Sequence, residues 1–327
     1  MPDPFLPPSK TTPDSGNSAA DIMSGRASGR IASRDEWLRC RQPEILAMLQ
    51  EYQYGYYPDH SLETVKATRS GITVNIEASA GSKTGKFKAT LALPAGASEA
   101  RKVPVVINIG GMQNQPYLQA GIAVVGFDYT SVAADSNSKT GAFWDLYKGK
   151  DIGALAAGLF DTRIALTMPM SSGVQGLGPY RYHAMSGQDE TLENSKAGAG
   201  WWSDSALGTF VNHSEILPYD AHTVAAAIAP RALVVDRGSA DPYTNSSPTA
   251  VVVYPAAKAV YGWLGAGDRI AMAVRRGGHC DMSGYTNVLP FVQKILQGKN
   301  TTRDYNDLSP WSAMPTTYPW ATNIPKT

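Results

Sequence analysis

A three-layer α/β fold, with helices on both faces of a mostly parallel central sheet, is what this 327-residue sequence predicts. Three observations carry it. Short apolar runs bounded by Gly and Pro recur along the chain, the pattern of strands buried on both faces. Segments of helical period separate them, as the crossovers between parallel strands require. An aspartate and a histidine fall just past the carboxyl ends of two such runs, the edge where open α/β sheets gather their ligands.

The C-terminal third shows the pattern best. Ala232 to Asp236 lies behind Pro230 and ahead of Gly238 and reads as a buried parallel strand, with Asp241 in the loop beyond it. Pro255 to Leu264 has helical spacing until Gly265 stops it. Ile270 to Val274 reads as a second strand, and Gly277-Gly278-His279 follows directly. Strand, acid, helix, strand, histidine is the order of the C-terminal half of an α/β-hydrolase, whose nucleophile, acid and histidine come in that sequence along the chain. Asp241 is then expected to hold the imidazole of His279 at Nδ1, leaving Nε2 to take a proton from a nucleophile. The plainer alternative is that both are ordinary loop residues at this sheet edge.

Upstream, residues 1–32 are rich in Pro, Ser, Gly and Asp and read as an extended or disordered lead-in to a single domain over 33–327. Ser33 and Glu36 form a capping-box pattern that opens a helix, which Pro43 turns or kinks and Gly55 and Pro58 end. Thr73 to Ala78 and Lys86 to Leu93 alternate apolar and polar side chains, as an antiparallel pair on one margin of the sheet does. Val103 to Ile109 is apolar enough for an interior strand, and Gly110-Gly111 after it either donates N–H groups to an oxyanion or is a tight turn. Ile122 to Tyr129 reads as another buried strand.

The next interval breaks the pattern. Between Thr130 and Lys150 nothing supplies the central strand and the sharp serine-bearing turn that such a sheet needs, and the chain has no G-x-S-x-G. A helix-like segment, Asp151 to Leu159, and a strand, Arg163 to Met168, follow. Ser171 and Ser172 come after that strand, but no helix follows to expose a hydroxyl and aim its N-terminus at an oxyanion. Residues 173–200 form a Gly-rich polar loop, and His222 to Ile228 a helix.

Composition narrows the function. Twenty-nine basic and 28 acidic side chains nearly balance, which gives no sign of a nucleic-acid partner. No apolar run is long enough to cross a membrane, and MPDPFLPPSK has no basic-then-apolar leader. Two cysteines, Cys40 and Cys280, are too few for a disulfide framework. Asn212, Asn245 and Asn300 are glycan acceptors by pattern.

Several longer stretches now carry a resemblance. WLRCRQPEILAMLQEYQYGYYP, VPVVINIGG, GALAAGLFDTRIALTMP, LPYDAHTVAAAIAPRALVV, VYGWLGAGDRIAM and GGHC together resemble the glucuronoyl esterases, carbohydrate esterases of the α/β-hydrolase class. The resemblance implies an extracellular, monomeric carboxylic ester hydrolase. Its partner would be glucuronoxylan or a lignin–carbohydrate ester, cut at 4-O-methyl-glucuronic acid by Ser-His-acid chemistry with no cofactor and no metal. It implies His279 as the catalytic histidine, Asp241 as the acid and Lys150 as the lysine that contacts glucuronate. The family's serine lies in Gly-Cys-Ser-Arg-Asn-Gly-Lys, of which only Gly149-Lys150 remains. Some members place the acid in Pro-Gln-Glu-Ser, where this chain has Pro169-Met170-Ser171-Ser172. Three expectations follow: an esterase body that has lost its nucleophile segment, a non-catalytic binder of acidic xylan decorations, or an esterase with a relocated serine at 171 or 172. The first predicts low stability and a gap or forced closure beside Ile122–Tyr129.

Overall fold

A computed structural model gives the architecture and describes residues 1–6, 29–110, 112–147, 157–182, 189–244, 246–279, 281, 286–309, 311–312 and 318–325. The chain divides into two compact units. One comprises Tyr56–Asp151 and Met282–Asn300; the other comprises Met1–Gly55, Ile152–Asp281 and Thr301–Thr327.

The unit built on Tyr56–Asp151 holds a five-stranded mixed sheet. Its strands are β1 (Glu63–Ser70), β2 (Thr73–Ala80), β3 (Lys83–Ala92), β4 (Val105–Asn108) and β5 (Ala123–Phe127), in the order β1-β2-β3-β5-β4. The first three form an antiparallel meander whose two-residue turns place Gly71 and Gly81 at positive φ. β5 runs antiparallel to β3 and parallel to β4, and Phe87 and Phe127 bring β3 and β5 together at 5.9 Å between ring centres. The expected antiparallel pair is therefore present as β2 and β3, with β1 outside it.

The gap expected beside Ile122–Tyr129 is not found there. β5 is flanked on both sides, so no vacancy lies beside Ile122–Tyr129; β4, read as interior, is the outer strand. The cause is the crossover. After β4 the chain passes through the helix Gln115–Gln119 and returns on the inner side, between β4 and β3. Among the described residues β4 pairs on one side only, and Val105 and Ile107 stand 51% and 54% exposed.

The other unit contains a three-stranded parallel sheet, β6 (Leu166–Thr167), β7 (Ala232–Gly238) and β8 (Ile270–Arg275), in that order. Every residue of β7 is buried. The crossover between β7 and β8 is the helix Tyr254–Trp263, so the reading of this half holds with β7 two residues longer than expected and β8 one longer. β6 keeps only two residues of the expected Arg163–Met168 strand, and among the described residues it pairs only with β7. The expected single sheet is thus two sheets, because no described strand follows β4 and β5 before β6.

The helical stretch from Arg34 to Tyr54 opens on the predicted capping box, with Ser33 Oγ accepting from Glu36 N–H at 3.2 Å and Glu36 accepting in return from Ser33 N–H. Pro43 does not break it. A wide π-turn, Trp37–Arg41, precedes the α-helix Gln42–Leu49, so the proline sits at a helix start where a missing N–H costs little. Part of the presumed lead-in is core: Phe5 and Ile31 are fully buried, Phe5 between Trp263 at 5.1 Å and Trp37 at 5.9 Å. Composition marked those residues as unstructured, yet one aromatic ring in an aromatic cage outweighs its polar neighbours.

His222, on the helix Ala221–Ala226, is buried in the same unit. Its Nε2–H donates to the Pro2 carbonyl at 2.8 Å and its ring stacks on Trp320. Burial pushes its pKa down from 6.5 to about 4, against the pull of Asp220. The folded state therefore favours the neutral ring. Stability is complete above pH 6.5 and drains as pH falls through 4, by about 3 kcal/mol. Urea melts between pH 7.5 and 3.5 are expected to show that drop in the wild type. In His222→Gln it should shrink to what the carboxylates alone produce; an unchanged pH profile in the variant contradicts the assignment.

Candidate active site

Two loops at the carboxyl ends of β7 and β8 meet. The ends are stitched by backbone bonds: Ser239 N–H to the Arg275 carbonyl at 2.9 Å and Ala240 N–H to the Gly277 carbonyl at 3.0 Å. Gly238 makes the approach possible. A Cβ there would lie 2.7 Å from the Gly277 oxygen and 2.9 Å from that of Gly278, both of them backbone. Gly238→Ala is thus expected to force the histidine loop outward and cost about 1–3 kcal/mol, read in a urea melt. A variant as stable as wild type would mean that the loops yield freely.

Asp241 opens a turn. Its Oδ1 accepts from Tyr243 N–H at 3.0 Å and its Oδ2 from the Thr244 hydroxyl at 2.6 Å, the side-chain turn that Asp-Pro sequences favour. The same Oδ2 lies 3.1 Å from His279 Nδ1. The carboxylate side chain is fully buried while the imidazole is 41% exposed. Burial opposes ionisation of Asp241, but the bonds from Thr244, Tyr243 and His279 outweigh it and hold the carboxyl below its ordinary range. An ionised Asp241 accepts, so Nδ1 carries the proton and the Nε2 lone pair is left for an incoming hydroxyl. Asp241 and His279 are brought together as the sequence led us to expect.

The other candidates fare differently. The Ser171 hydroxyl donates to the backbone carbonyl of His279 at 3.2 Å and accepts from Arg275, and Ser172 Oγ accepts from Leu177 N–H at 3.2 Å. Neither hydroxyl bonds the imidazole. Gly110 N–H donates to Asn108 Oδ1 at 3.1 Å, so the tight-turn reading fits that loop better than an oxyanion donor. Lys150, with Gly149, Gly111 and Cys280, lies outside the described residues; Cys40 is a free thiol. No cluster of His, Cys, Asp or Glu among the described residues has the geometry to hold a metal ion, and no described helix is long and apolar enough to cross a membrane.

Sequence reasoning missed the charged groups behind the Asp241–His279 pair. Asp236 and Arg275 form an ion pair at 2.7 Å with both side chains fully buried. Arg237, equally buried, donates to the carbonyls of Ser172 and Thr244, and burial lowers its pKa to about 10 despite Asp241, Asp236 and Glu190. Glu190 accepts from Val174 N–H at 2.7 Å; burial raises its pKa, while the charges of His279 and Arg237 pull the other way. Asp236 is the last residue of the strand read from sequence, and no local signal there tells a buried pair from a solvated one. Tyr243, 62% exposed, sets its ring edge-on to His279 at 6.2 Å.

Comparison with known proteins fits this geometry. A family model described as "Glucuronyl esterase, fungi" matches residues 76–157 and 148–265, more than half the chain, in two pieces that meet at 148–157. The 4-O-methyl-glucuronoyl methylesterase of Schizophyllum commune is 26% identical, covering 84% of this chain and 81% of that protein. A carbohydrate esterase family 15 glucuronoyl esterase from Caldicellulosiruptor kristjansonii aligns with a TM-score of 0.80 at 28% identity over 95% of both chains. The glucuronoyl esterase of Sporotrichum thermophile, solved in complex with methyl 4-O-methyl-β-D-glucopyranuronate, shares the fold at a TM-score of 0.79 and 22% identity, over 99% of this chain and 95% of that one. The chain belongs to the glucuronyl esterase family of fungi, carboxylic ester hydrolases of α/β-hydrolase fold.

Proposed function

We propose that this chain is a glucuronoyl esterase body that keeps its relay, Asp241 and His279, and lacks the nucleophile that the relay serves. The carrying observation is the 3.1 Å contact between His279 Nδ1 and Asp241, with no hydroxyl among the described residues bonded to the ring. Three further features support it: the family match falls into two pieces at 148–157, β4 is left as an edge, and only Gly149-Lys150 remains of the serine motif. The substrate class is an ester of 4-O-methyl-glucuronic acid on xylan, with Lys150 as the contact to glucuronate. The setting is extracellular, and the chain acts as a monomer.

Sequencing the transcript across the Lys148 codon tests this. The expected result is a coding segment beyond this sequence that ends in a Gly-x-Ser turn. An uninterrupted transcript, together with ester turnover by the chain as it stands, overturns it. The exposed ring of Tyr243 beside His279 favours a second reading, a non-catalytic binder of acidic xylan decorations, since an aromatic face suits a sugar ring. Retention on glucuronoxylan but not on neutral xylan is its expected signature; equal passage over both removes it.

A further inference from the structure

We infer that Arg275 and Ser171 are positioning residues that clamp the backbone of His279 and so aim its imidazole at Asp241. The assignment rests on reading Asp241 and His279 as the relay. One guanidinium meets four acceptors: Nε donates to Asp236 Oδ1 at 2.7 Å, Nη1 to the Gly278 carbonyl at 2.5 Å, and Nη2 to the His279 carbonyl at 3.0 Å and to Ser171 Oγ. Ser171 then adds a second donor to the same His279 carbonyl. Two donors on one carbonyl fix the peptide plane at the base of the imidazole. The hydroxyl that sequence offered as a nucleophile is spent on the backbone.

The backbone of Ser171 shows the constraint. Its φ is +47°, a region that a side-chain-bearing residue occupies only when its surroundings hold it there. Its N–H donates to the Asp236 carbonyl at 3.2 Å, so the anchor of Arg275 and the anchor of Ser171 are the same residue of β7. Geometry of this kind cannot be supplied by a lysine, whose point charge satisfies Asp236 but does not fork to two carbonyls.

The readout is the tautomer of neutral His279, taken from imidazole ¹⁵N shifts, because its bond to Asp241 selects the Nδ1–H form. Arg275→Lys and Ser171→Ala are each expected to keep a cooperative melt while the Nδ1–H to Nε2–H ratio falls, by about tenfold for Arg275→Lys, the scale of one charge-assisted hydrogen bond. If Arg275→Lys does not fold, the double variant Asp236→Asn/Arg275→Met removes the orphaned charge and gives the same reading. A wild-type ratio in any folded Arg275 variant overturns the clamp. Asp241→Asn separates the two ideas. If it leaves the ratio unchanged, the relay itself is wrong; if it collapses the ratio where the Arg275 variants do not, only the clamp fails.

Discussion

Given methyl 4-O-methyl-glucuronate, the purified chain is expected to release methanol about six orders of magnitude more slowly than a serine esterase with its triad intact. An Asp–His pair only takes a proton from a nucleophile. Of the two hydroxyls that the sequence offered as nucleophiles, Ser171 donates to the His279 carbonyl and Ser172 accepts from Leu177 N–H, and neither bonds the imidazole. Hydrolases stripped of their serine usually keep a remnant rate from oxyanion donors. His279→Ala should then change nothing, since members of a triad do not contribute independently once one is gone. A rate within a hundredfold of an intact enzyme, collapsing in His279→Ala, would overturn the proposed loss.

What was legible in the sequence was local and periodic. β7, β8 and the helix Tyr254–Trp263 each announce themselves by apolar runs or helical spacing between Gly and Pro, and placing Asp241 and His279 after two such strands was enough to bring them together. β1 escaped notice because Glu63–Ser70 is polar and exposed along nearly its whole length, so no buried face shows as alternation. β4 was found but misplaced. Apolar content says that a strand belongs inside a sheet, while its position follows from the order of crossovers. The charged positions were the least legible. Arg275 and Asp236 are 39 residues apart and fully buried as a pair, and burial of a charge is decided by a partner that only the fold supplies.

Cutting the buried ion pair between Arg41 and Glu44 is expected to cost about 3–5 kcal/mol, the largest single-site loss of stability we foresee. The two side chains are 1% and 0% exposed and meet at 2.6 Å across one helical turn. Burial lowers the pKa of Arg41, and the charges of Glu44 and Asp3 restore part of it, so the cation is held by its partners rather than by water. Glu44→Ala leaves a buried guanidinium with a weak 3.4 Å bond to the Gly29 carbonyl and too little else to offset its desolvation. The double variant Arg41→Met/Glu44→Leu removes both charges and fills much of the same volume. It should return to within about 1 kcal/mol of wild type, or exceed it, because a buried pair gains little over well-packed apolar side chains. Urea unfolding followed by far-ultraviolet circular dichroism reads both, provided the slope with denaturant is unchanged. A single variant that loses less than about 1 kcal/mol would show that Arg41 reaches solvent when its carboxylate is gone; a double variant as unstable as Glu44→Ala would show that the site depends on the shape of the pair and not on its charge.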